Sequence, residues 1–184
     1  MEDEVRLVEV DGAWRERYRA VATELRGLVG GDRPLLRLHH VGSTAVPGLL
    51  AKPTLDLMAP AARWPLDPAT VAALAAFGYV DHGEHGLPGR HYFARGGHEV
   101  HLHVVDPGSG HLERHLALRD LLRSDADARE RYARRKRELV RAHAGDRAAY
   151  VAGKDALVRE LEVRALEVRA LSRRPGRSGE APRR

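Results

Sequence analysis

The segment at residues 40–49, His-Val-Gly-Ser-Thr-Ala-Val-Pro-Gly-Leu, carries the clearest chemical signal in the chain. Its Gly42-Ser43-Thr44 turn lies between two apolar runs, and the second run carries Asp56. Backbone N–H groups and hydroxyls exposed by such a turn can bind phosphate oxygens. A carboxylate on the next strand can hold a divalent cation against the same phosphates. We therefore predict nucleotide chemistry, with Gly42, Ser43 and Thr44 binding phosphate and with Ser43 and Asp56 in catalytic positions.

Two histidines on a later apolar run offer further metal ligands. In residues 99–105 the alternation directs valine and leucine side chains toward the core and Glu99, His101 and His103 to the opposite face. Two neutral imidazoles and a carboxylate suit zinc, manganese or iron better than magnesium. A surface strand whose histidines only form hydrogen bonds would show the same pattern. We predict that His101, His103 and Asp56 bind the metal, or that one histidine acts as the general base.

The position two residues after Asp56 departs from the pattern of two-metal enzymes. Enzymes that transfer phosphoryl or nucleotidyl groups usually hold two cations about 4 Å apart between several carboxylates. Here alternation places Met58 on the same face of the strand as Asp56. A thioether does not replace a hard oxygen ligand for magnesium. The sequence therefore argues against efficient two-metal catalysis.

Three basic residues could complete a polyphosphate site: Lys52, Arg90 and Lys154. Lys52 lies between the Gly-Ser turn and Asp56, so it cannot be far from either. A charge-assisted hydrogen bond to phosphate contributes roughly 1.5 to 3 kcal/mol. Lys154 interrupts an apolar helical line, which fits either a phosphate ligand or a lysine whose stem packs on the core while its amine reaches water. We predict that all three bind the phosphates of a nucleotide.

The predicted elements give an α+β fold. Strands are expected at 5–10, 35–41, 54–59, 79–81, 91–94 and 100–105, with amphipathic helices at 14–28 and 68–77. From His111 onward the apolar spacing predicts only helices, and the last one is expected to run unbroken from a cap at Asp146. Strands fill the first 105 residues and helices the rest, which indicates a sheet followed by a helical C-terminal half.

Composition indicates one globular domain at residues 1–171. The 184 residues include no cysteine, which excludes disulfides and thiolate metal sites. The formal charge is +5, but residues 172–184 contain five arginines and one glutamate, which leaves +1 for the domain. That domain lacks the charge of a dedicated nucleic-acid binder, and the Arg/Pro/Gly-rich end is expected to be a disordered tail. With no signal-peptide pattern and no apolar run long enough for a membrane, we expect a cytoplasmic protein.

These residues resemble the GrpB family over about residues 5–170. The resemblance rests on long, ordered motifs: residues 40–49, Lys52-Pro53, Asp56, Pro88-Gly89-Arg90, residues 101–104, Arg114-His115-Leu116, Arg119-Asp120, Tyr132, Lys136, Tyr150 and Lys154. The family is assigned to the nucleotidyltransferase superfamily, which implies a mixed sheet flanked by helices. It also implies Gly-Ser at a helix start after one strand and Asp-x-Asp on the next. Gly42, Ser43 and Asp56 fall on that pattern, and Met58 departs from it.

The residues and the resemblance together predict a metal-dependent nucleotidyltransferase or related phosphate-transfer enzyme. The expected cofactor is a divalent cation, magnesium or manganese, with zinc as an alternative. The expected partner is a nucleoside triphosphate or a related phosphorylated small molecule. A second interpretation is a catalytically degenerate module that binds a nucleotide or a coenzyme A precursor, since similar domains are fused behind dephospho-coenzyme A kinase in some bacteria. A third makes His101 and His103 a transition-metal site for hydrolysis.

Overall fold

The computed structural model describes residues 5–143 and 145–173, and a five-stranded mixed sheet is at its centre. The sheet consists of β2 (His39–Val41), β4 (Leu55–Pro60), β5 (Val80–Asp81), β6 (Arg90–Arg95) and β7 (Val100–Val105). The spatial order is β2-β4-β7-β6-β5. Strands β4 and β7 are parallel neighbours, whereas the other neighbouring pairs are antiparallel. The predicted α+β class with a mixed sheet is confirmed.

Two short strands pair outside the main sheet. Strand β1 (Val8–Glu9) runs antiparallel to β3 (Leu50–Ala51). The strand predicted over residues 5–10 is therefore too long. Its first residue, Val5, is buried against Leu139 instead of continuing the pairing, so the apolar pattern at this end reflects packing on a helix.

The strand predicted over residues 35–41 is also shorter than expected. Only its last three residues form β2, while Leu35 makes isolated bridges. The Leu38 carbonyl accepts a hydrogen bond from the Tyr18 hydroxyl at 3.0 Å, so a side chain occupies an acceptor that backbone pairing between strands would use. The apolar character of this stretch comes from burial and not from continuous strand pairing.

Helices pack on both faces of the sheet. Helices α1 (Gly12–Glu24) and α2 (Pro68–Ala76) cover the face that carries Leu55 and Leu57. Helix α3 (His111–Ser124) packs on the other face, near Met58. The helical C-terminal half is completed by α4 (Ala126–Ala142), α5 (Arg147–Ala152) and α6 (Asp155–Ser172).

The last helical segment is interrupted at Gly153-Lys154, where an unbroken helix was expected. Glycine is a poor helix former, and a Cβ at this position would overlap the Leu139 side chain of α4. The Gly153 carbonyl accepts a hydrogen bond from Arg135 Nε at 3.0 Å, which holds the interruption against α4. The break ends α5 and begins α6 beside Lys154, whose position matters below.

The C-terminal tail predicted at residues 172–184 lies outside the described residues except for its first two positions. Ser172 is the last residue of α6, and residues 174–184 lie outside the described residues. Among the helices that the structure describes, none is long and apolar enough to cross a membrane.

Candidate functional site

A cleft of about 210 Å³ lies between the sheet, the turn after β2 and the C-terminal helices. We call it the Asp56 cleft, and it is lined by residues from five separate stretches of chain: Ser43, Lys52, Thr54, Asp56, His101, Lys136, Tyr150, Val151 and Lys154. The fold thus brings together five of the predicted site residues, namely Ser43, Lys52, Asp56, His101 and Lys154.

Gly42 allows the turn to approach Asp56 closely. Its backbone angles, φ 68° and ψ −170°, fall in a region that is essentially restricted to glycine. A Cβ at this position would lie 2.9 Å from the Asp56 Cβ and 3.0 Å from its Cγ. Ser43 follows as the first residue of a short 3₁₀ turn, Ser43–Ala45. The Gly-Ser pair therefore places the Ser43 side chain and the Asp56 carboxylate at the same cleft.

Asp56, His101 and His103 form a cluster that could hold a metal ion. One ligand atom from each residue lies within 4.8 Å of the other two. The cluster arises because β4 and β7 are parallel, with Asp56 paired to His101 and Met58 paired to His103. His101 Nδ1 is 3.1 Å from Asp56 Oδ1, and His103 Nδ1 is buried without a hydrogen-bond partner among the described residues. A buried nitrogen of this kind fits a metal ligand.

The protonation states of the cluster suit metal binding. Burial lowers the pKa of His103 to about 3, so this imidazole is neutral with a free lone pair. Burial alone would raise the pKa of Asp56, but the hydrogen bond with His101 and nearby positive charge outweigh burial and lower it. An ionised carboxylate and a neutral imidazole are the forms that bind divalent cations.

Two residues near the cluster do not add a second carboxylate. Met58 is fully buried in an apolar cluster with Val41 and Val105. Glu99 precedes β7, is largely exposed, and pairs with Arg17 at 2.9 Å. The prediction that Glu99 shares a strand face with His101 and His103 is therefore wrong for Glu99. Among the described residues that line the Asp56 cleft, Asp56 supplies the carboxylate.

Two lysines face this carboxylate from different elements. Burial lowers the pKa of Lys52 to about 8, with smaller contributions from Arg147 and Lys154. Burial also lowers the pKa of Lys154, whose Nζ lies 4.8 Å from the centre of the Tyr150 ring. Lys154, which interrupts the apolar line of the predicted helix, lines the cleft because α5 ends at Ala152, just before it. Burial and repulsion between the two amines make their charged forms less favourable, and an anion bound between them would offset this cost.

A third lysine, Lys136, was named among the motif residues but was given no role in the predicted site. Its side chain is 1% exposed, and its Nζ donates a hydrogen bond to the Leu50 carbonyl at 2.7 Å. The same nitrogen lies 2.6 Å from the Ser43 hydroxyl oxygen. A signal was present, because Lys136 stands four residues after Tyr132 and three before Leu139, on the buried stripe of α4.

Two predicted phosphate ligands point elsewhere. Arg90 donates to the carbonyls of Glu84 and His85, at 3.0 and 2.9 Å, and does not line the Asp56 cleft. The Thr44 hydroxyl donates to the Thr54 carbonyl at 3.0 Å and lies 3.1 Å from His40 Nε2. Both side chains stabilise local backbone structure, which residue type and spacing alone did not reveal.

Comparisons with known proteins place this chain in one family. The family model described as GrpB protein matches residues 4–164. The UPF0157 protein YqkA of Bacillus subtilis is 30% identical over 170 residues, which cover 88% of this chain and 47% of that protein. The UPF0157 protein PA4798 of Pseudomonas aeruginosa is 36% identical over 172 residues, covering 89% of this chain and 69% of that protein.

A solved structure supports the same assignment. The crystal structure of conserved protein GrpB from Enterococcus faecalis superposes with a TM-score of 0.82 and 29% sequence identity. The match covers 90% of this chain and 99% of that one. The chain belongs to the GrpB family, and it spans about half the length of the Bacillus subtilis relative.

Proposed function

We propose that this protein is a metal-dependent nucleotidyltransferase or a closely related phosphate-transfer enzyme. The observation that carries the proposal is that Asp56 and His101 line one cleft with Lys52 and Lys154, while His103, which does not line the cleft, completes their cluster. A cation bound by the cluster and the two amines would contact the same phosphate group from different sides.

The size of the cleft supports a phosphate-binding role. Sites that enclose whole small ligands usually occupy about 300 to 1,000 Å³, whereas the Asp56 cleft measures about 210 Å³. It therefore fits the phosphates of a nucleotide together with a metal ion, and the nucleoside would lie outside. Each charge-assisted bond from Lys52 or Lys154 would contribute roughly 1.5 to 3 kcal/mol to phosphate binding.

The chain's own residues account for binding and for proton movement. A bound divalent cation would withdraw charge from the phosphate oxygens during transfer. Lys52 and Lys154 would bind the same oxygens and stabilise the charge that develops on the leaving group. His101 lies between Asp56 and His98, with its Nε2 3.3 Å from the exposed His98 Nδ1. Where His101 is the general base instead of a metal ligand, a proton that it accepts could leave the cleft through His98.

Calorimetric titration tests the binding part of the proposal. We expect ATP to bind the full chain in the presence of Mn²⁺, and Asp56→Asn or His103→Gln to weaken this binding by about tenfold to a hundredfold. His143→Gln is the matched control, because this histidine lies at the end of α4 and outside the Asp56 cleft. Absence of ATP binding with Mn²⁺, Mg²⁺ and Zn²⁺ would refute the proposal.

A second function follows from the fully buried Met58. Because this residue takes the place of a second carboxylate, the cleft could bind a nucleotide or a coenzyme A precursor without transferring a group. This alternative predicts ATP binding that requires Asp56 but no pyrophosphate release with any acceptor. Pyrophosphate release that is lost in Asp56→Asn would instead establish the transferase.

A further inference from the structure

We propose that Ser43 is a nucleophile and that Lys136 is its general base. The substrate class, a phosphate anhydride such as a nucleoside triphosphate, rests on the proposed function, whereas the nucleophile itself does not. In the reaction the Ser43 oxygen forms a bond to phosphorus, the bond from phosphorus to the leaving pyrophosphate breaks, and the hydroxyl proton passes to Lys136 Nζ. An acceptor hydroxyl then attacks the same phosphorus and loses its proton to water, the bond from phosphorus to the Ser43 oxygen breaks, and Ser43 regains a proton from Lys136.

The contacts of the lysine support this assignment. Nζ of Lys136 is 2.6 Å from Ser43 Oγ and 2.7 Å from the Leu50 carbonyl oxygen. Nζ is placed to donate to both oxygens, and in its neutral form it could instead accept the serine O–H with its lone pair while it donates one N–H to the carbonyl. A serine within hydrogen-bond reach of a base is the arrangement from which activated hydroxyl nucleophiles are built.

The surroundings of Lys136 favour the neutral amine. Burial is the largest cause of its lowered pKa, and Lys154 and Lys52 lower it further, whereas Asp56 raises it. The Tyr132 ring of the same helix lies 4.2 Å from Nζ and favours the charged form. The causes that lower the pKa outweigh those that raise it, so the pKa of the amine falls well below its usual value of 10.5. The lowered pKa makes this lysine better able to accept a proton than an ordinary lysine.

Ser43 is also placed where an electrophile would bind. Its side chain lines the Asp56 cleft, and the preceding Gly42 packs against Asp56. The hydroxyl of Ser109, by comparison, donates to the Asp106 carbonyl at 2.7 Å and does not line this cleft. A lysine that only held the turn in place would account for the contact but not for a reactive serine. The two roles therefore differ in serine reactivity.

A fluorophosphonate measures that reactivity without knowledge of the natural substrate. Attack by Ser43 forms an oxygen–phosphorus bond, breaks the phosphorus–fluorine bond and releases fluoride, while Lys136 takes the proton. Intact-mass spectrometry and peptide mapping of the full chain should show one adduct, on Ser43. Lys136→Met should slow labelling by roughly a hundredfold or more, which is the usual contribution of a positioned base. Ser109→Ala is the matched control and should be labelled at the wild-type rate.

The pH profile of the wild-type protein tests the base without any substitution. The labelling rate should rise with pH and reach a plateau through one ionisation that lies below 10.5. No adduct on Ser43, or a rate that simply follows hydroxide concentration, would overturn the proposal. Loss of labelling alongside intact Mn²⁺-dependent ATP binding would remove the nucleophile alone. Labelled Ser43 without ATP binding would leave the nucleophile in place and remove the nucleotide function.

Discussion

Replacing Gly42 with alanine tests whether the turn and Asp56 form one unit. Both Gly42 and Gly48 have positive φ, at 68° and 73°, and alanine in such a conformation costs roughly 1 to 2 kcal/mol. At Gly48 nothing lies within 4 Å of the added Cβ, so strain is the whole expected loss. At Gly42 the Cβ would also overlap Asp56, which adds about 1 to 3 kcal/mol for overpacking. Gly42→Ala should therefore lower the free energy of unfolding by about 2 to 5 kcal/mol.

The two substitutions should also separate stability from metal binding. Urea denaturation measures the loss of stability, and titration with Mn²⁺ measures the affinity of the cluster. Because Gly42→Ala displaces Asp56, we expect its Mn²⁺ affinity to fall by roughly tenfold to a hundredfold, whereas Gly48→Ala should keep the wild-type affinity. Equal Mn²⁺ affinities for the two variants, both folded, would refute the close approach of the turn to a metal-binding carboxylate.

Three further outcomes follow from individual side chains. Burial lowers the pKa of His40 to about 4, so its contribution to stability is complete above pH 6.5 and is lost as the pH falls through 4. Between pH 7 and pH 4.5, the wild-type protein should therefore lose about 2 to 3 kcal/mol more free energy of unfolding than His40→Gln, as measured by urea titration. Met58→Asp should destabilise the protein by roughly 2 to 5 kcal/mol without tightening Mn²⁺ binding, since its side chain is fully buried among apolar groups; tighter Mn²⁺ binding would show that this position accepts a second ligand. Arg90→Gln should leave ATP affinity with Mn²⁺ unchanged while Lys52→Gln lowers it by about tenfold to a hundredfold, and a larger loss at Arg90 would place its guanidinium on the nucleotide.

The strand-borne part of the site could be predicted because its pattern is local. Period-two alternation correctly separated Leu55 and Leu57 from Asp56, and it placed His101 and His103 on one face. Once β4 and β7 pair in parallel, these faces coincide, so the cluster follows from two short strands. The α+β class was also predictable, because all the strands lie before residue 106 and the described chain after them is helical.

The helix-borne part depends on packing that a linear pattern does not specify. Lys136 reaches Ser43 across 93 positions of sequence, and its role as a buried amine depends on how α4 packs against the turn. Gly153 lies where a Cβ would overlap the Leu139 side chain, a constraint that spacing within the helix does not show. Arg90 binds nearby carbonyls instead of the cleft, because the loop before β6 offers it acceptors at short range.

Anomalous diffraction from crystals grown with Mn²⁺ and a non-hydrolysable nucleoside triphosphate would test the metal-binding cleft most directly. We expect one manganese peak about 2.0 to 2.3 Å from an oxygen of Asp56 and from a nitrogen of each cluster histidine, with phosphate oxygens against Lys52 and Lys154. A manganese ion bound elsewhere, or phosphates remote from these two lysines, would contradict the assignment of this cleft to phosphate chemistry.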